Sequence, residues 1–532
     1  MTESSYMGLT IGPIYNTLLQ VRRTRAVWAA SYFFSWFIKQ VVDRSKKAGL
    51  SIILPYSEKI YAGSFGAGLY ADRVYFDLKG SAKSELELIL NQILDELSED
   101  ISKHTGKDKK DILHYLHEYL NLHITESHIS NKDEILYKLN DDLDQKELFT
   151  NAPLHNEDNF LLEYLDTPLS VFTRLAEDAF GKSRGLRFKC IAEIATGTLR
   201  GLNTLQYDII AQATLSNKKS KSEDIDFIDA VQNNEDLSGF LKPHHKYYTV
   251  LYADGDNIGN LLKKISHDFS ALQTFSRHLF DFGLRAEQVI RNFGGCAIYL
   301  GGEDILAFLP LAYSPEANAY THNLLDLIHL LDVEFEETLG RYAKEINVNP
   351  PSLSYGLMSA YVKFPLKEAM HTAHGLLEEL KNNKLKFPGK NTIGWRLQKH
   401  SGQYLQCFID KTKTCSWSAL RSITIEYTKE IDYDQTKKEP ENARLLSGVI
   451  HRLQDPLFTD VFYLAVREER LEPFFNNFFN EGIHKTTGTE KFLTDLRGLS
   501  EKVFNDYPDN EDAIKILFTV LRYIHFINSN RE

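Results

Sequence analysis

The sequence predicts an α+β protein of several domains, in which two sheet-and-helix units precede a C-terminal helical bundle. Short runs of β-forming residues alternate with helical stretches over residues 1–80 and again over 247–410. After Asp410, apolar residues are spaced for helix packing. The length of 532 residues corresponds to three or four domains at about 100–200 residues each. Hydrophobic residues make up 43% of the chain and charged residues 25%, which excludes collagenous and mostly disordered proteins.

The N-terminal unit contains three strand-like runs and one long apolar helix. The runs are Met7–Ile14, Leu50–Pro55 and Tyr70–Phe76, and the helix begins near Tyr15. Residues 81–148 then follow a helical pattern with five histidines. Because this stretch lacks an HExxH motif and a matching carboxylate pattern, we expect solvent-facing histidines rather than a metal site. These histidines are His104, His114, His117, His123 and His128.

The apolar segment Ala26–Ile38 follows the basic residues Arg22–Arg25 and imitates a targeting signal. It is 13 residues long, whereas a membrane-spanning helix needs about 20 apolar residues. We therefore expect a core helix and no membrane association. The four cysteines lack a CxxC pair, which excludes a disulfide framework and predicts no structural zinc. A reducing, cytoplasmic location is the expectation.

The charge balance bears on nucleic-acid binding. The formal net charge is −12, and phosphate backbones require a basic surface, so the chain is a poor free-standing nucleic-acid binder. Contact with RNA would then depend on partner subunits and on local basic patches such as Arg22–Arg25.

The middle of the chain separates the two sheet-and-helix units. Residues 150–210 are typical of helices, and Phe188–Leu202 predicts a helix with at least one apolar face. The segment from Ser216 to about Lys246 is charged, has few aromatic residues and predicts a linker or surface loop.

The most informative region is 247–310. Tyr247–Ala253 is rich in β-forming residues and runs into the motif Asp254-Gly-Asp-Asn-Ile-Gly. A long amphipathic segment, Asn260–Asn292, comes next. Two short apolar runs, Cys296–Leu300 and Ile305–Leu309, then flank Gly301-Gly-Glu-Asp. The pattern predicts a strand, a helix and a β-hairpin with acidic residues at its turn.

The two acidic motifs suggest metal-dependent phosphate chemistry. If the hairpin pairs beside the first strand, its turn brings Glu303 and Asp304 next to Asp254 and Asp256. Like charges at such a distance repel, and a divalent cation relieves the repulsion. Two Mg²⁺ ions held there can activate a 3′-hydroxyl and stabilise departing pyrophosphate. Alone, either motif is also compatible with a polar turn or a calcium-like loop, although the twelve-residue calcium spacing is missing.

The glycines fit the same interpretation. Gly301 and Gly302 allow positive φ in a hairpin turn and leave room for a triphosphate. Gly255 and Gly259 can do the same after the first strand, where a backbone carbonyl and several N–H groups could face a metal ion or a phosphate.

Together the motifs resemble the palm of the GGDEF/class III cyclase superfamily, and more specifically the large polymerase subunit of type III CRISPR effector complexes. Other segments are similar to the same subunit in its Cmr-type (III-B) form. They are Ile11–Pro13, Arg22–Tyr32, Phe188–Thr196, Ala373–Lys381, Gly389–Asn391 and His400–Gly402. The resemblance implies two ferredoxin-like, GGDEF-type palms with helical insertions and a C-terminal helical bundle.

The implied domains are a first, inactive palm at 1–150 and a helical connector at 151–245 without zinc-binding cysteines. A second, catalytic palm would cover 246–410 and a helical domain 411–532. In the catalytic palm the resemblance makes Asp254 and Glu303 the principal metal ligands, with Asp304 and the Gly255 carbonyl beside them. Residues implied to contact the nucleotide are Asp256, Asn257, Gly301, Gly302, Lys381 and Lys390, and more weakly Ser31 and Tyr32 on the first palm.

The implied activity is nucleotidyl transfer with ATP and two Mg²⁺ or Mn²⁺ ions. When the complex binds target RNA, it would make a second messenger, either a cyclic oligoadenylate or a conjugate of ATP with S-adenosylmethionine. The expected partners are the other Cmr-type subunits and, through them, guide RNA and target RNA.

Two departures from the family pattern matter. Glu303 stands where relatives usually have aspartate, and its extra methylene can shift the metal geometry. The chain also opens at the first palm, so we expect no HD nuclease; His267-Asp268 is interpreted as a surface pair.

Two other functions are also compatible with the sequence. A diguanylate cyclase would share the hairpin, but Arg291–Cys296 shows no RxxD-type inhibitory site, and the other domains would be unexplained. A scaffold with a decayed palm is the other alternative. The retained carboxylates argue against it, because buried charges without a role are costly.

Overall fold

A computed structural model of the chain describes most of its residues. The described ranges are 4–62, 66–78, 82–148, 159–166, 174–180, 188–197, 227, 229, 242–313, 322–383, 386–387, 390–428, 441–478 and 487–529.

The N-terminal part contains a four-stranded antiparallel sheet. Its strands are β1 (Ser4–Gly12), β2 (Ser51–Leu54), β3 (Arg73–Asp77) and β4 (Asn121–Ile129), in the order β2-β3-β1-β4. The helices are α1 (Ile14–Gln20), α2 (Thr24–Lys47), α3 (Ala82–Thr105), α4 (Lys109–Tyr119) and α5 (Ile135–Leu148).

The long apolar helix predicted from near Tyr15 is two helices, α1 and α2, with an extended backbone at Val21 between them. Helix α2 contains the apolar segment and lies in the core. Its buried side chains surround the helix, including Trp28, Phe33 and Phe37. A helix that is apolar on all sides must be covered on all sides. Helix α2 meets this requirement by packing between the first sheet and the second sheet described below.

Strand β4 corrects the helical expectation for residues 81–148. It pairs with β1 along its whole length, from Ser4 opposite Ile129 to Gly12 opposite Asn121. The strand therefore carries His123 and His128, which were expected on a helix. The pairing with β1 outweighs the weak helical pattern of this nine-residue segment, because β4 gains a full ladder of hydrogen bonds.

The middle region is described only in part. It contains α6 (Phe160–Leu165), α7 (Arg174–Phe180) and α8 (Ile191–Ala195), so the helix predicted at 188–202 is seen over five residues, and 198–202 lie outside the described residues. Most of the predicted linker lies outside them too. Its end was placed wrongly, because Pro243–Lys246 forms a buried 3-10 turn in which His244 and His245 pack against each other.

The second sheet has six strands in the order β12-β11-β10-β5-β7-β6. Strands β10 and β11 are parallel, and the other neighbours are antiparallel. The strands are β5 (Tyr247–Asp256), β6 (Cys296–Tyr299), β7 (Ile305–Pro310), β10 (Ser352–Tyr361), β11 (Thr392–Gln398) and β12 (Tyr404–Asp410); the short β8 (Ala312–Tyr313) and β9 (His322–Asn323) pair separately.

Helices pack on this sheet. They are α9 (Ile258–Ile265), α10 (Phe269–Asn292), α11 (Leu324–Phe335), a π-helical turn (Glu336–Gly340), α12 (Arg341–Glu345) and α13 (Leu366–Asn382). The amphipathic segment predicted at 260–292 is thus two helices. The break occurs where the Asp268 carboxylate caps α10 by accepting hydrogen bonds from the N–H groups of Ser270 and Ala271. His267 is exposed, which confirms that His267-Asp268 is a surface pair.

The C-terminal region is helical, as predicted. Its helices are α14 (Thr414–Thr428), α15 (Glu441–Arg452), α16 (Pro456–Arg467), α17 (Leu471–Phe478), α18 (Thr487–Asp506) and α19 (Asn510–Asn528). Helix α19 packs on the second sheet through Tyr523, whose ring contacts Trp395 edge to face. Among the described helices, none combines the length and the apolar character that crossing a membrane requires. The fold is the predicted α+β arrangement of sheets followed by helices.

The N-terminal part meets strand β6 of the second sheet along a seam of hydrogen bonds. The Ser31 hydroxyl of α2 donates to the Ile298 carbonyl at 3.0 Å. Gly68 forms a bridge with Tyr299, and the Leu300 N–H donates to the Gly68 carbonyl at 2.8 Å. The seam therefore ends beside the turn of the β6–β7 hairpin.

Candidate active site

The β6–β7 hairpin pairs beside β5, as the sequence predicts. Ala253 lies opposite Ile305 in the antiparallel register, so that the strand end at Asp254 and the turn at Asp304 are neighbours. On the other side of β5, Asp254 lies opposite Ser354 of β10. The structure thus brings the carboxylates of Asp254, Glu303 and Asp304 to one end of three adjacent strands.

Gly255 is the point of closest approach between the two motifs. A β-carbon at this position would be 2.6 Å from the Glu303 β-carbon and 2.9 Å from a side-chain atom of Ile258. Such distances do not occur between real side chains, so the motif requires glycine here for space. The Glu303 side chain occupies the space that this glycine leaves.

The two turn glycines have separate structural reasons. Gly302 has a φ of 69°, in the left-handed region that favours glycine. At Gly301 a β-carbon would meet the Tyr299 hydroxyl at 2.2 Å. Gly302 therefore sets the backbone conformation of the turn, and Gly301 leaves room for the Tyr299 side chain.

The carboxylates of the hairpin turn carry shifted pKa values. Burial raises the pKa of Glu303, and the charge of Asp254 adds to the effect. The protein packed around the turn, followed by the charges of Glu303 and Asp254, raises the pKa of Asp304 well above its usual range. The Asp304 side chain is nevertheless accessible to solvent. The site is therefore short of positive charge and reachable from outside.

Lys381 supplies part of this charge from helix α13. Its Nζ lies 3.0 Å from Oδ1 of Asp254 and 3.9 Å from Oε1 of Glu378. Burial lowers the pKa of the Lys381 ammonium, and the charge of Asp254 outweighs that effect, so that the net shift is upward. Lys381, which was expected to contact the nucleotide, thus lies at the carboxylate cluster.

Asp256 is fully buried, and its carboxylate bonds to groups of the protein itself. Its Oδ2 accepts hydrogen bonds from the Ser354 hydroxyl at 2.6 Å and from the Asn391 N–H at 2.8 Å. Lys390 Nζ lies 3.7 Å from Oδ1. The carboxylate therefore fastens the loop that precedes β11, instead of facing a bound nucleotide directly.

The loop residues themselves have left-handed backbones. Lys390 and Asn391 have φ values of 54° and 53°, and the Asn391 carbonyl accepts from the Lys411 N–H at 3.0 Å. Asn257 is also left-handed, with φ of 65°, and its side chain is exposed where α9 begins. Gly389 lies outside the described residues.

The residues of the second nucleotide site, which the family resemblance implies more weakly, have hydrogen-bond partners within the protein. Ser31 is buried, and its hydroxyl donates a hydrogen bond to the Ile298 carbonyl. The Tyr32 hydroxyl donates to Oδ2 of Asp178 at 2.9 Å. Both side chains are already engaged within the protein. A nucleotide-binding role for Ser31 and Tyr32 stays a prediction that these contacts do not favour.

The donor set suits a hard divalent cation by type. Asp254, Glu303, Asp304 and the Gly255 carbonyl offer only oxygen, which Mg²⁺ and Mn²⁺ prefer. Within the described ranges, however, no three His, Cys, Asp or Glu side chains stand in a metal-holding arrangement. One local reason is that Lys381 lies 3.0 Å from Oδ1 of Asp254 and occupies that oxygen. The residues fit the ion chemically, and this contact must open to admit it.

Two contributors near the turn were not predicted. Ser354 holds Asp256, and Asp72 of the N-terminal part adds negative charge that raises the pKa of both Tyr299 and Glu303. The alternation of polar Ser352 and Ser354 in an otherwise apolar strand was a usable signal for the first. Asp72 lies far away in sequence, and only the seam between the sheets brings it close.

Comparisons with known proteins agree with this geometry. Residues 247–393 match the family model described as Cas10/Cmr2, second palm domain. The chain contains a Cas10/Cmr2-type palm domain. The match covers β5, the acidic hairpin and α13, and ends in β11.

A curated relative supports the same family. The CRISPR system Cmr subunit Cmr2 of Pyrococcus furiosus is 28% identical over 221 residues, which cover 36% of this chain and 23% of the relative. The matched part therefore spans about a quarter of that relative's length.

Solved structures share the fold over nearly the whole chain. A Csm1–Csm4 cassette in complex with pppApA matches with a TM-score of 0.53 at 11% identity, covering 98% of this chain and 69% of the other. Type III-B Cmr-beta bound to cognate target RNA matches with a TM-score of 0.51 at 11% identity, covering 99% and 83%. At such identities the matches establish the fold around the Cas10/Cmr2-type palm.

Proposed function

We propose that this chain is the nucleotidyltransferase subunit of a type III CRISPR complex, which converts ATP into a nucleotide second messenger when target RNA binds. The observation that carries the proposal is the strand register, which sets Asp304 beside Asp254 with Glu303 packed over Gly255. A hairpin that only closed a loop would not need three acidic side chains at one strand end, because their mutual repulsion is costly.

Each site residue has a role in the proposed reaction. A 3′-hydroxyl attacks the α-phosphorus of ATP in line and gives its proton to solvent water, the new phosphodiester bond forms, and pyrophosphate leaves with its electron pair. Mg²⁺ or Mn²⁺ held by Asp254, Glu303, Asp304 and the Gly255 carbonyl would supply the positive charge for this step, as in two-metal sites. Lys381 and Lys390 offset the charge of the triphosphate, and the Gly302 turn keeps side chains away from it.

The position of Lys381 supports this assignment. It is already at the carboxylates, 3.0 Å from Asp254, on a helix that Gly356 of β10 lets approach the sheet closely. A triphosphate entering the site gives the ammonium a second anionic partner. When the Lys381 ammonium moves toward the triphosphate, Asp254 becomes free to act as a metal ligand.

The comparisons support the partners and the chemistry. The Pyrococcus relative is a Cmr subunit, the Cmr-beta structure holds cognate target RNA, and the Csm1–Csm4 structure holds the adenine dinucleotide pppApA. We extend these properties to this chain as part of the proposal. The partners are then other Cmr-type subunits with guide and target RNA in the cytoplasm, and the product is a cyclic oligoadenylate or a conjugate with S-adenosylmethionine.

The test is reconstitution of the complex with its guide RNA and [α-³²P]ATP in Mg²⁺. We expect a new labelled product only with target RNA, and parallel reactions with S-adenosylmethionine or GTP identify the product class. Absence of product under all these conditions would contradict the proposal. A product formed from GTP but not from ATP would favour the diguanylate-cyclase alternative.

A further inference from the structure

Lys411 and Asp332 form an ion pair inside the palm that the two acidic motifs do not include. Lys411 directly follows β12 and is 5% exposed, and its Nζ lies 2.6 Å from both carboxylate oxygens of Asp332 in α11. From β10, the Tyr355 hydroxyl donates to Oδ1 of Asp332 at 2.9 Å, and the Tyr355 ring centroid is 4.5 Å from the ammonium. Contacts from α11 and β10 therefore fix the position of this lysine.

The cost of this pair argues against a purely stabilising role. Burial lowers the pKa of the Lys411 ammonium, although the charge of Asp332 opposes the effect. Removing an ammonium and a carboxylate from water is unfavourable, and apolar side chains of similar size often stabilise the same space as well or better. An ammonium that contacts both oxygens of one carboxylate does fix a geometry, and here it fixes where the Lys411 backbone lies.

The backbone of Lys411 holds the loop that precedes β11. The Lys411 N–H donates to the Asn391 carbonyl at 3.0 Å, and the Asn391 N–H donates to Oδ2 of Asp256 at 2.8 Å. Both backbone groups of Asn391 are therefore bonded, one to each side of the loop. In the register of β11 and β12, Thr392 lies opposite Asp410, so the loop and Lys411 are neighbours at one end of the sheet.

This loop has a backbone conformation that requires support. Lys390 and Asn391 have φ values of 54° and 53°, in the left-handed region that is unfavourable for residues other than glycine. Such conformations persist where the surrounding structure holds them. Lys390 directly precedes the residue that Lys411 binds, and its Nζ lies 3.7 Å from Oδ1 of Asp256. The position of the Lys390 ammonium therefore depends on the backbone at Asn391.

We propose that Lys411 and Asp332 are positioning residues for Lys390, and that they hold its ammonium where the triphosphate of the nucleotide binds. This inference rests on the proposed function, which gives Lys390 the triphosphate as its partner. Lys411 acts through its N–H and the Asn391 carbonyl, and Asp332 acts by holding the Lys411 ammonium. Neither side chain touches the ligand in this role.

ATP turnover by the reconstituted, target-bound complex tests this role. Asp332→Asn keeps an oxygen for the Tyr355 hydroxyl and removes the charge that holds the Lys411 ammonium. Because the Lys390 loop is then held less firmly, we expect the KM for ATP to rise about fivefold, the effect of one weakened hydrogen bond. The kcat should stay within about twofold of the wild type, since the carboxylates at the reacting atoms are unchanged.

Two lysine substitutions form a matched pair. Lys411→Met removes the buried ammonium and should raise the KM at least as much as Asp332→Asn does. It also leaves the Asp332 carboxylate without this partner and should lower the melting temperature. Lys413→Met makes the same change two residues along the chain, where the side chain is exposed, and should change neither quantity.

The double variant Lys411→Met with Asp332→Asn separates positioning from folding. It removes both charges, so neither is left buried without the other, and the melting temperature should recover relative to Lys411→Met. The KM should remain raised, since the ion pair no longer fixes the backbone of residue 411. A purely structural pair would let the KM recover together with the melting temperature, and that result would overturn the inference.

Hydrogen–deuterium exchange of the unliganded full chain observes the loop without any turnover. The Asn391 N–H is protected by its hydrogen bond to Asp256. In Asp332→Asn, exchange in a peptide that contains Asn391 should be several times faster than in the wild type. Peptides from the core of α19 should exchange at unchanged rates, which shows that the loop opens while the rest of the protein stays folded.

The outcomes distinguish this inference from the proposed function. Wild-type KM and wild-type exchange in a folded Asp332→Asn variant overturn the inference while the reaction stands, and so does a loss of kcat at unchanged KM. Equal effects of Lys411→Met and Lys413→Met also overturn it. A wild-type complex that makes no product contradicts the proposed function, and in that case the exchange measurement alone decides whether the ion pair holds the loop.

Discussion

The Glu303 side chain lies over Gly255, with its β-carbon 2.6 Å from the place where a β-carbon of residue 255 would stand. This contact connects two motifs that are far apart in sequence, and it explains why the first must contain glycine. It also places the Glu303 carboxylate at the end of β5 next to Asp254, where the proposed chemistry needs it.

The substitution Gly255→Ala tests this contact. The added methyl group must displace Glu303, and we expect a loss of about 1–3 kcal/mol in the free energy of unfolding, together with most of the ATP turnover. Gly448→Ala in α15 is the matched control, because a β-carbon there meets nothing within 4 Å and the residue lies in the C-terminal helices. Urea unfolding and turnover of both variants give the comparison. Equal effects of the two substitutions would show that the contact is unimportant.

Lys381→Met separates metal binding from triphosphate binding. The ammonium now neutralises Asp254 at 3.0 Å, so its removal should let Mg²⁺ bind more tightly while the KM for ATP rises about tenfold. Turnover measured as a function of Mg²⁺ and ATP shows both effects. Lys367→Met removes an exposed charge at the other end of the same helix and should leave both unchanged. A higher Mg²⁺ requirement in Lys381→Met would contradict this role.

Asp256 should act on the Lys390 loop rather than on the reacting atoms. Asp256→Ala leaves the Ser354 hydroxyl and the Asn391 N–H without their acceptor, which should cost about 2–3 kcal/mol of stability and raise the KM for ATP more than it lowers kcat. Asp256→Asn keeps an acceptor oxygen and should restore most of the stability. If Asp256→Asn abolishes kcat with KM unchanged, Asp256 belongs to the chemistry itself.

The buried pair His244 and His245 predicts how stability depends on pH. Burial lowers the pKa of His245 from its usual 6.5 to about 3, and it lowers that of His244 well below 6.5. Below pH 6.5 the unfolded chain takes up protons that the folded chain refuses, so stability falls by about 1.4 kcal/mol per pH unit for each histidine. For His245 this loss continues down to about pH 3.

Urea unfolding at pH 7.0 and 5.5 measures this slope. In the folded state the His245 Nδ1 accepts a hydrogen bond from the Lys242 N–H at 3.0 Å, which a protonated ring cannot do. His245→Gln should therefore reduce the slope. An unchanged slope in that variant would show that other groups cause the loss.

Much of the palm could be predicted from the sequence, because its signals are local. The strand Tyr247–Asp256 and the hairpin around Gly301-Gly-Glu-Asp each follow from a few adjacent residues, and antiparallel pairing then brings the carboxylates together. The C-terminal helices were predictable from their apolar spacing for the same reason. The expectation about β4 failed, since that strand depends on pairing with β1, more than a hundred residues away in sequence.

The parts of the site that could not be predicted depend on contacts between distant segments. Nothing local in Asp72 indicates that it approaches the palm; helix α2 and the seam at Gly68 and Tyr299 bring the two sheets together. Likewise, the second Asp of the motif was expected to contact the nucleotide. Its burial against Ser354 depends on the register of β5 and β10, which no local pattern in the sequence indicates.

ATP turnover by the reconstituted, target-bound complex carrying Asp254→Asn or Glu303→Gln tests catalysis at this site most directly. Both substitutions keep size and remove charge, so each should lower product formation at least a hundredfold, on the order expected for lost transition-state charge stabilisation. Glu345→Gln, an exposed carboxylate of the same palm, should retain wild-type turnover. Wild-type turnover in Asp254→Asn and Glu303→Gln would contradict nucleotidyl transfer at this site.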